Sequence, residues 1–263
     1  MVQNSTVDGN FLITASMDGN LRLYDNRDGS LIHTFVGHQA SANGVFITSD
    51  DAFVISCSGN YDARWQTQKS LNGEGTDNSI RIWDLPSGLQ ILKLPLQGSP
   101  ICHYLGVSAI TANDAGTIVI SGGFDNAVCV WDRTTGKLLT KFGGLSERTT
   151  ENGTVYIDSN AYHSGAITAV GSYTMPSDTG FELLHRAVSC SDDASFRVWD
   201  IGVDSTSAFT EVTCVGPASA RCSRPNQLAH SQAITCMSIL KLQPAYQVLI
   251  TGCVCLNNFF VLC

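Results

Sequence analysis

Histidines recur along the chain at positions that invite a search for acid–base or metal chemistry. They are His38, His103, His163 and His230, and each of the last three precedes a Val or Ile by four residues. A histidine beside a carboxylate or a thiol can act as a general base or a metal ligand. Here the histidines and most aspartates follow one repeated pattern, which leaves no separate catalytic set. We therefore predict that the chain is not an enzyme.

Metal and cofactor sites are not predicted either. Cys214, Cys222 and His230 could be proposed as ligands, and Cys253 with Cys255 forms a CxC pair. Neither group has the paired spacing that is typical of zinc sites. The phosphate-binding patterns GxxxxGK[ST] and GxGxxG are also absent from the sequence. The ten cysteines are scattered through apolar strand-like runs, which favours buried thiols over a disulfide framework.

The elements that would position these residues are repeated. Four copies of one pattern, MDGNLRLYD, TDNSIRIWD, FDNAVCVWD and DDASFRVWD, end at Asp25, Asp84, Asp132 and Asp200. Each copy follows an apolar run, so the unit predicts a strand, a tight Asp/Asn/Gly turn and a second strand. After the first three copies, a glycine turn leads into another apolar run that supplies an outer strand.

With its GH dipeptide at Gly37 and its terminal WD pairs, the repeat resembles the WD-repeat family. The resemblance covers essentially the whole chain and implies an all-β propeller with four strands in each blade. It also implies that a buried His, a Ser or Thr, an Asp and the Trp of one repeat form a hydrogen-bonded network. The residues that match are His163, Ser191, Asp193 and Trp199, and the other repeats contribute His38, His103, His230, Trp83 and Trp131.

We interpret these residues as structural, since an unpaired buried polar group costs about 1–3 kcal/mol. Some copies depart from the pattern. Tyr24 replaces the Trp in the first copy, Gly123 stands where the third would have its Ser, and His38 belongs to a hairpin with a long insertion. We expect those blades to be looser.

The repeats predict a single domain, residues 1–263, with about five blades. They lie near residues 1–36, 38–95, 103–142, 163–215 and 230–263. We expect an incomplete or open ring, because the first inner strand and the last outer strand are short or missing. Unpaired edges are templates for association, so we expect a fragment of a longer propeller, an oligomer or a ring completed by another chain. After Val254 the sequence loses the polar turn residues of the pattern.

Partner binding is predicted on the face that carries the hairpin turns and the His-side loops. Segments 59–77, 143–162 and 216–229 are enlarged there. Loops on a rigid scaffold commonly carry binding residues, and Tyr, Trp and Arg are frequent anchors. The candidates are Tyr61, Arg64, Trp65, Arg148, Tyr156, Arg221 and Arg224. The alternative is that Trp65 only packs its own loop against the blade and that the arginines are solvated surface charges.

A non-enzymatic scaffold that holds other proteins in a multisubunit complex is the favoured function. The formal net charge of −8 argues against broad attraction to nucleic acid or to anionic lipid, and no apolar run is long enough for a membrane helix. We expect an intracellular protein, cytoplasmic or nuclear. Two alternatives stay open. One is a substrate receptor of a cullin-RING ubiquitin ligase, because Tyr24 to Arg27 resemble a WDxR element, and the other is an RNA-binding component of a ribonucleoprotein.

Overall fold

The structure is a computed structural model of the chain. It describes residues 2–60, 77–97, 102–149, 155–159, 162–176, 183–201, 210–216, 224–225, 230–243, 246–253 and 259–262. Within these ranges the chain forms strands and turns and no helix. The predicted all-β fold is therefore confirmed.

Five antiparallel sheets follow one another along the chain, and we call them the first to fifth blades. The first consists of β1 (Val2–Ser5), β2 (Phe11–Ala15), β3 (Leu21–Asp25) and β4 (Leu31–Phe35). The second consists of β5 (Ala42–Ile47), β6 (Phe53–Ser58), β7 (Ile80–Asp84) and β8 (Gln90–Leu94). The third consists of β9 (Val107–Ala112), β10 (Ile118–Gly123), β11 (Ala127–Asp132) and β12 (Leu138–Gly143).

A two-stranded hairpin, β13 (Leu145–Thr149) with β14 (Val155–Ser159), separates the third and fourth blades. The fourth blade contains β15 (Ile167–Pro176), β16 (Leu183–Ser191), β17 (Phe196–Asp200) and β18 (Thr210–Gly216), with β19 (Arg224–Pro225) added in parallel to β18. The fifth has three strands, β20 (Ile234–Gln243), β21 (Tyr246–Cys253) and β22 (Phe259–Leu262).

Consecutive blades pack side by side through their inner strands. Strand β5 contacts β1 and β9, and β15 contacts β9 and β20. In the part of the chain that the structure describes, the sheets do not close into a ring. The inner and middle strands of the second and third blades are largely buried because a neighbouring blade covers each face, whereas the outer strands β4 and β8 expose most of their residues.

The apolar core lies between the blades, and each Trp of the repeat packs against the blade before its own. Trp83 shares a cluster with first-blade residues, Trp131 with second-blade residues and Trp199 with third-blade residues. The outer strand of the preceding blade supplies a ring in two cases. Phe35 meets Trp83 edge-on with ring centroids 5.7 Å apart, and Phe142 stacks on Trp199 at 4.4 Å. Each Trp therefore joins two blades.

Tight turns join the second and third strands of the blades, and a left-handed residue closes them. Gly19 has φ of 80°, Asn126 has 64° and Ala194 has 63°. The turn aspartate accepts a backbone N–H two residues later, from Asn20 in the first blade and from Ser195 in the fourth, each at 2.9 Å. Glycine or asparagine adopts this conformation readily, whereas Ala194 holds it at a steric cost.

Candidate functional site: the blade network and the loop face

One hydrogen-bonded network recurs in the second, third and fourth blades. In the third, Trp131 donates its indole N–H to Ser121 Oγ at 2.9 Å, and the same Oγ lies 2.8 Å from His103 Nε2. His103 Nδ1 lies 2.9 Å from Asp125 Oδ1. An ionised carboxylate can only accept, so His103 Nδ1 donates to Asp125. All four side chains are buried, and the network joins the segment before the first strand to the second and third strands of the blade.

The second blade has the same network although a long insertion divides its hairpin. His38 lies 2.7 Å from Asp77 and 2.8 Å from Ser56, and Trp83 donates to Ser56 at 2.9 Å. Asp77 also accepts the backbone N–H of Gln39 at 3.0 Å. The network residues on the two sides of the insertion therefore lie within hydrogen-bonding distance of one another.

The fourth blade corrects one predicted residue. His163, Asp193 and Trp199 come together as expected, with His163 Nδ1 3.2 Å from Asp193 Oδ2. The serine between His163 and Trp199 is Ser189. Its Oγ lies 2.8 Å from His163 Nε2 and 2.8 Å from Trp199 Nε1. Ser191, the predicted serine, instead donates to Gly165 O at 2.9 Å and accepts the N–H of Asp193. The two serines lie on the same side of β16, and strand register selects the one nearer the indole.

The departure predicted for the third copy is not a departure, because the network serine stands two residues earlier than predicted there as well. Gly123 is equivalent to Ser191, not to the network serine, and Ser121 supplies the hydroxyl. The networks of the second and third blades have matching lengths. The reason given for expecting those two blades to be looser therefore does not hold.

The first and fifth blades carry partial versions. Tyr24 stands in the Trp position of the first blade, opposite Leu12, and Thr14 stands in the serine position. In the fifth blade, His230 Nε2 lies 2.7 Å from Thr251 Oγ1. Thr251 therefore takes the place of the network serine.

Burial and neighbouring charges determine the protonation states of His38 and Asp77 in the second blade. Burial lowers the pKa of His38, and the nearby cations Arg81 and Lys93 act in the same direction, outweighing the effect of Asp77. Burial alone would raise the pKa of Asp77, but hydrogen bonds from His38 and Ser79 hold it well below its usual value. A neutral His38 beside an ionised Asp77 fits the network geometry.

The loop face is the end of the blades that carries the β2–β3, β6–β7, β10–β11 and β16–β17 turns. In antiparallel sheets the segments leading into β5, β9, β15 and β20 reach the same end. A cavity of about 420 Å³ opens there among the first four blades. Met17, Phe124 and Asp192 line it, and each directly precedes the turn aspartate of its blade.

Met17 is 85% exposed, although it is apolar. Burial and the neighbouring Asp193 raise the pKa of Asp192. Among the described residues, the Asp192 carboxylate has no ion-pair partner. Among the described residues, the cavity therefore combines apolar side chains with a carboxylate that has no ion-pair partner.

The partner-binding candidates from the sequence are only partly placed. Arg148 and Tyr156 are register partners across the β13–β14 hairpin, and Arg224 begins β19. Tyr61, Arg64, Trp65 and Arg221 lie outside the described residues. The sequence pattern did not predict the cavity residues Met17, Phe124 and Asp192. Their shared position directly before the turn aspartate is a signal that could have indicated them.

Among the described residues, no cluster of three or more His, Cys, Asp or Glu side chains could hold a metal ion. Of the cysteines described as free, Cys57, Cys102, Cys129 and Cys190 are buried and Cys236 is exposed. Cys214 differs from the prediction, because it is disulfide-bonded. Within the described ranges, no helix is long and apolar enough to cross a membrane.

Comparison with known proteins agrees with this architecture. The family model for the WD domain, G-beta repeat, matches residues 4–25, 29–84 and 95–132. The predicted resemblance to WD repeats is therefore confirmed over these residues, which include most strands of the first three blades.

Several WD-repeat relatives align with much of the chain at low identity. Nuclear distribution protein PAC1-2 of Uncinocarpus reesii is 24% identical over 245 residues, which cover 87% of this chain and 40% of that protein. COMPASS component SWD3 of Saccharomyces cerevisiae is 24% identical over 180 residues, 52% of this chain and 55% of that protein. The chain thus spans about 40% of the length of the nuclear distribution relative and about half that of the COMPASS component.

Proposed function

We propose that this chain is a non-enzymatic scaffold that binds protein partners through its loop face. The observation that carries the proposal is the cavity of about 420 Å³ lined by Met17, Phe124 and Asp192. Three blades contribute these side chains from equivalent turn positions, so a partner there would contact several blades at once. A rigid framework with variable loops at one end suits recognition of macromolecules.

The chemistry of the cavity favours a protein segment that carries both an apolar and a basic side chain. An apolar side chain would cover Met17, which is 85% exposed. A Lys or Arg would neutralise Asp192, whose pKa is raised because burial and Asp193 disfavour its charge. Such a contact removes apolar surface from water and compensates the exposed Asp192 carboxylate.

An assembly role also suits one relative, which is a component of COMPASS. The enlarged segments 59–77, 143–162 and 216–229 would extend the same face, and Tyr61, Arg64, Trp65, Arg148, Tyr156, Arg221 and Arg224 remain candidate contacts. An intracellular setting is part of the proposal.

The two other hypotheses lack comparable support. The Arg27 guanidinium, which a ligase adaptor would have to engage, is paired with Asp25 at 2.6 Å. RNA binding would have to overcome a net charge of −8. We do not carry either hypothesis further.

The test compares a charged substitution at each end of the blades. Tagged wild type, Met17→Asp and Val7→Asp are expressed in the native cells, and the proteins that co-purify are quantified by mass spectrometry. Val7 is 75% exposed and lies in the β1–β2 turn at the opposite end, so it matches Met17 in type and exposure. We expect partners to be lost with Met17→Asp and kept with Val7→Asp.

A variant that lacks residues 61–75 examines the insertion separately. If the insertion extends the binding face, its deletion reduces the same set of partners. Equal partner recovery in wild type and Met17→Asp, with both variants folded, would contradict binding at the cavity.

A further inference from the structure

A second, smaller cavity lies beneath the loop-face cavity, further along the inner strands. Its volume is about 170 Å³, and the two cavities share three lining residues, Asn43, Ser108 and Thr168, which we call the collar. Among the described residues, the lining below the collar consists of glycine and apolar side chains. They are Gly44, Val45, Ala109, Ile110, Ala169 and Val170. The two cavities therefore form a stepped channel with a polar collar above an apolar floor.

The collar residues occupy equivalent positions in the second, third and fourth blades. Each is the extra residue of a one-residue bulge near the start of its inner strand, β5, β9 or β15. A bulge turns a side chain away from the regular alternation of the sheet. Three blades thus contribute one polar side chain each at the same level of the channel.

The hydrogen atoms of the collar already bond to the main chain. Both N–H groups of Asn43 donate to carbonyl oxygens, at 2.7 and 2.9 Å. The Ser108 hydroxyl donates to a carbonyl oxygen of the next blade at 2.5 Å, and the Thr168 hydroxyl does the same at 2.5 Å. No hydrogen bond to Asn43 Oδ1 is found among the described residues. The collar can therefore accept hydrogen bonds from a ligand but cannot donate them.

A carboxylate adds negative charge above the collar. Asp192 lines the upper cavity, is exposed, and has no ion-pair partner among the described residues. Neither cavity has a lysine or an arginine in its described lining. A ligand that fits this arrangement must donate several hydrogen bonds and carry a positive charge.

We propose that this channel binds the side chain of a single lysine from a partner protein, with the ammonium group donating to the collar. The inference rests on the proposed loop-face function and names the side chain that the loop face recognises. The methylene groups of the lysine contact the apolar side chains of Met17 and Phe124 in the upper cavity. Asp192 supplies the opposite charge.

Lysine fits the collar better than arginine does. An ammonium group has three N–H donors, and the collar offers an acceptor from each of three blades. A guanidinium group has five donors in one plane. The donors that pass the collar would face the apolar floor, where they would be buried without acceptors.

Photo-crosslinking with a lysine analogue tests the occupant directly. Native cells that express the tagged full chain are grown with photo-lysine, which keeps the ammonium group and carries a diazirine on its stem. Ultraviolet light expels N₂, and the resulting carbene inserts into a neighbouring bond. The products are mapped by mass spectrometry. We expect a partner lysine to be joined to residues 42–45, 107–110 or 166–170, and photo-leucine, the control, to give no product there.

Two substitutions on one strand separate the collar from general stability. Thr168→Val removes a collar acceptor, and Ser172→Ala is the matched control. The Ser172 hydroxyl also donates to a carbonyl of the neighbouring blade, at 2.6 Å, but it lines neither cavity. A synthetic peptide that spans the crosslinked lysine should bind roughly tenfold more weakly to Thr168→Val and equally well to Ser172→Ala. Thermal unfolding shows whether both variants are folded.

The same peptide with its lysine replaced by arginine should bind roughly tenfold more weakly to the wild type. Equal binding of the two peptides would overturn the inference. So would the absence of a photo-lysine product at the collar, a collar product from photo-leucine, or a collar product from a lysine of this chain itself.

The Met17→Asp variant distinguishes this inference from the function on which it rests. Loss of partners in Met17→Asp, without a lysine product at the collar of the wild type, would support the loop-face function and contradict the lysine. Retention of all partners in Met17→Asp would contradict both.

Discussion

Trp199 donates its indole N–H to the hydroxyl of Ser189 at 2.8 Å, across two strands of the fourth blade. The same relationship joins Trp83 to Ser56 and Trp131 to Ser121. Each serine also contacts the blade histidine, so its hydroxyl is the centre of the network. Because each Trp packs on the preceding blade, loss of this hydroxyl should weaken both a blade and an interface.

Ser189→Ala should destabilise the protein by about 1–3 kcal/mol, because the Trp199 N–H and the His163 nitrogen both lose their partner in a buried site. Ser191→Ala is the matched control on the same strand and should cost about 1 kcal/mol. Urea unfolding followed by tryptophan fluorescence measures both. A larger loss for Ser191→Ala would contradict the assignment of Ser189.

Tyr24→Phe should change stability by less than about 0.5 kcal/mol, because no hydrogen bond to the Tyr24 hydroxyl is found among the described residues. Trp83→Phe removes an indole donor from a fully formed network and should cost about 1–3 kcal/mol. Equilibrium unfolding of the two variants gives the comparison. Equal losses would show that the first blade has a network of its own.

Acidification should destabilise the second blade. The pKa of His38 is lowered in the folded state, so between about pH 6.5 and its folded pKa the unfolded chain binds a proton that the folded chain does not. Stability from this group is full above about pH 6.5 and falls below it, by up to about 1.4 kcal/mol per pH unit.

Thermal unfolding of wild type and His38→Asn between pH 8 and 5 isolates this contribution. The variant should be less stable at pH 8 and should have a flatter pH dependence than wild type. If the stability of the two proteins changed equally with pH, a neutral, buried His38 would be contradicted.

Ala194→Gly should stabilise the fourth blade by about 0.5–1 kcal/mol, because Ala194 holds φ of 63° and glycine adopts this conformation without strain. The reciprocal control is Gly19→Ala at the equivalent turn of the first blade. There a Cβ would lie 2.8 Å from His38 O, so the variant should be clearly destabilised. Differential scanning calorimetry of both variants shows whether each substitution raises or lowers the stability.

The repeated features of the fold could be predicted from the sequence. The choice between neighbouring residues of one strand, and the contacts between blades, could not. The hairpins, the buried His and Trp residues and the all-β class follow from a pattern seen four times. Ser189 and Ser191 are two residues apart on one strand and so share a side, which made the pattern alone insufficient to choose between them. The bulge at Ser108 and the cavity at Met17 depend on register and on neighbouring blades, which one sequence does not reveal.

Hydrogen exchange of the chain, alone and in a complex purified from its native cells, tests the central claim of loop-face binding most directly. We predict increased protection in the loop-face turns, residues 16–20, 124–126 and 192–195, and unchanged exchange in the opposite turns, residues 6–10, 48–52 and 113–117. Protection confined to the opposite turns would contradict the account.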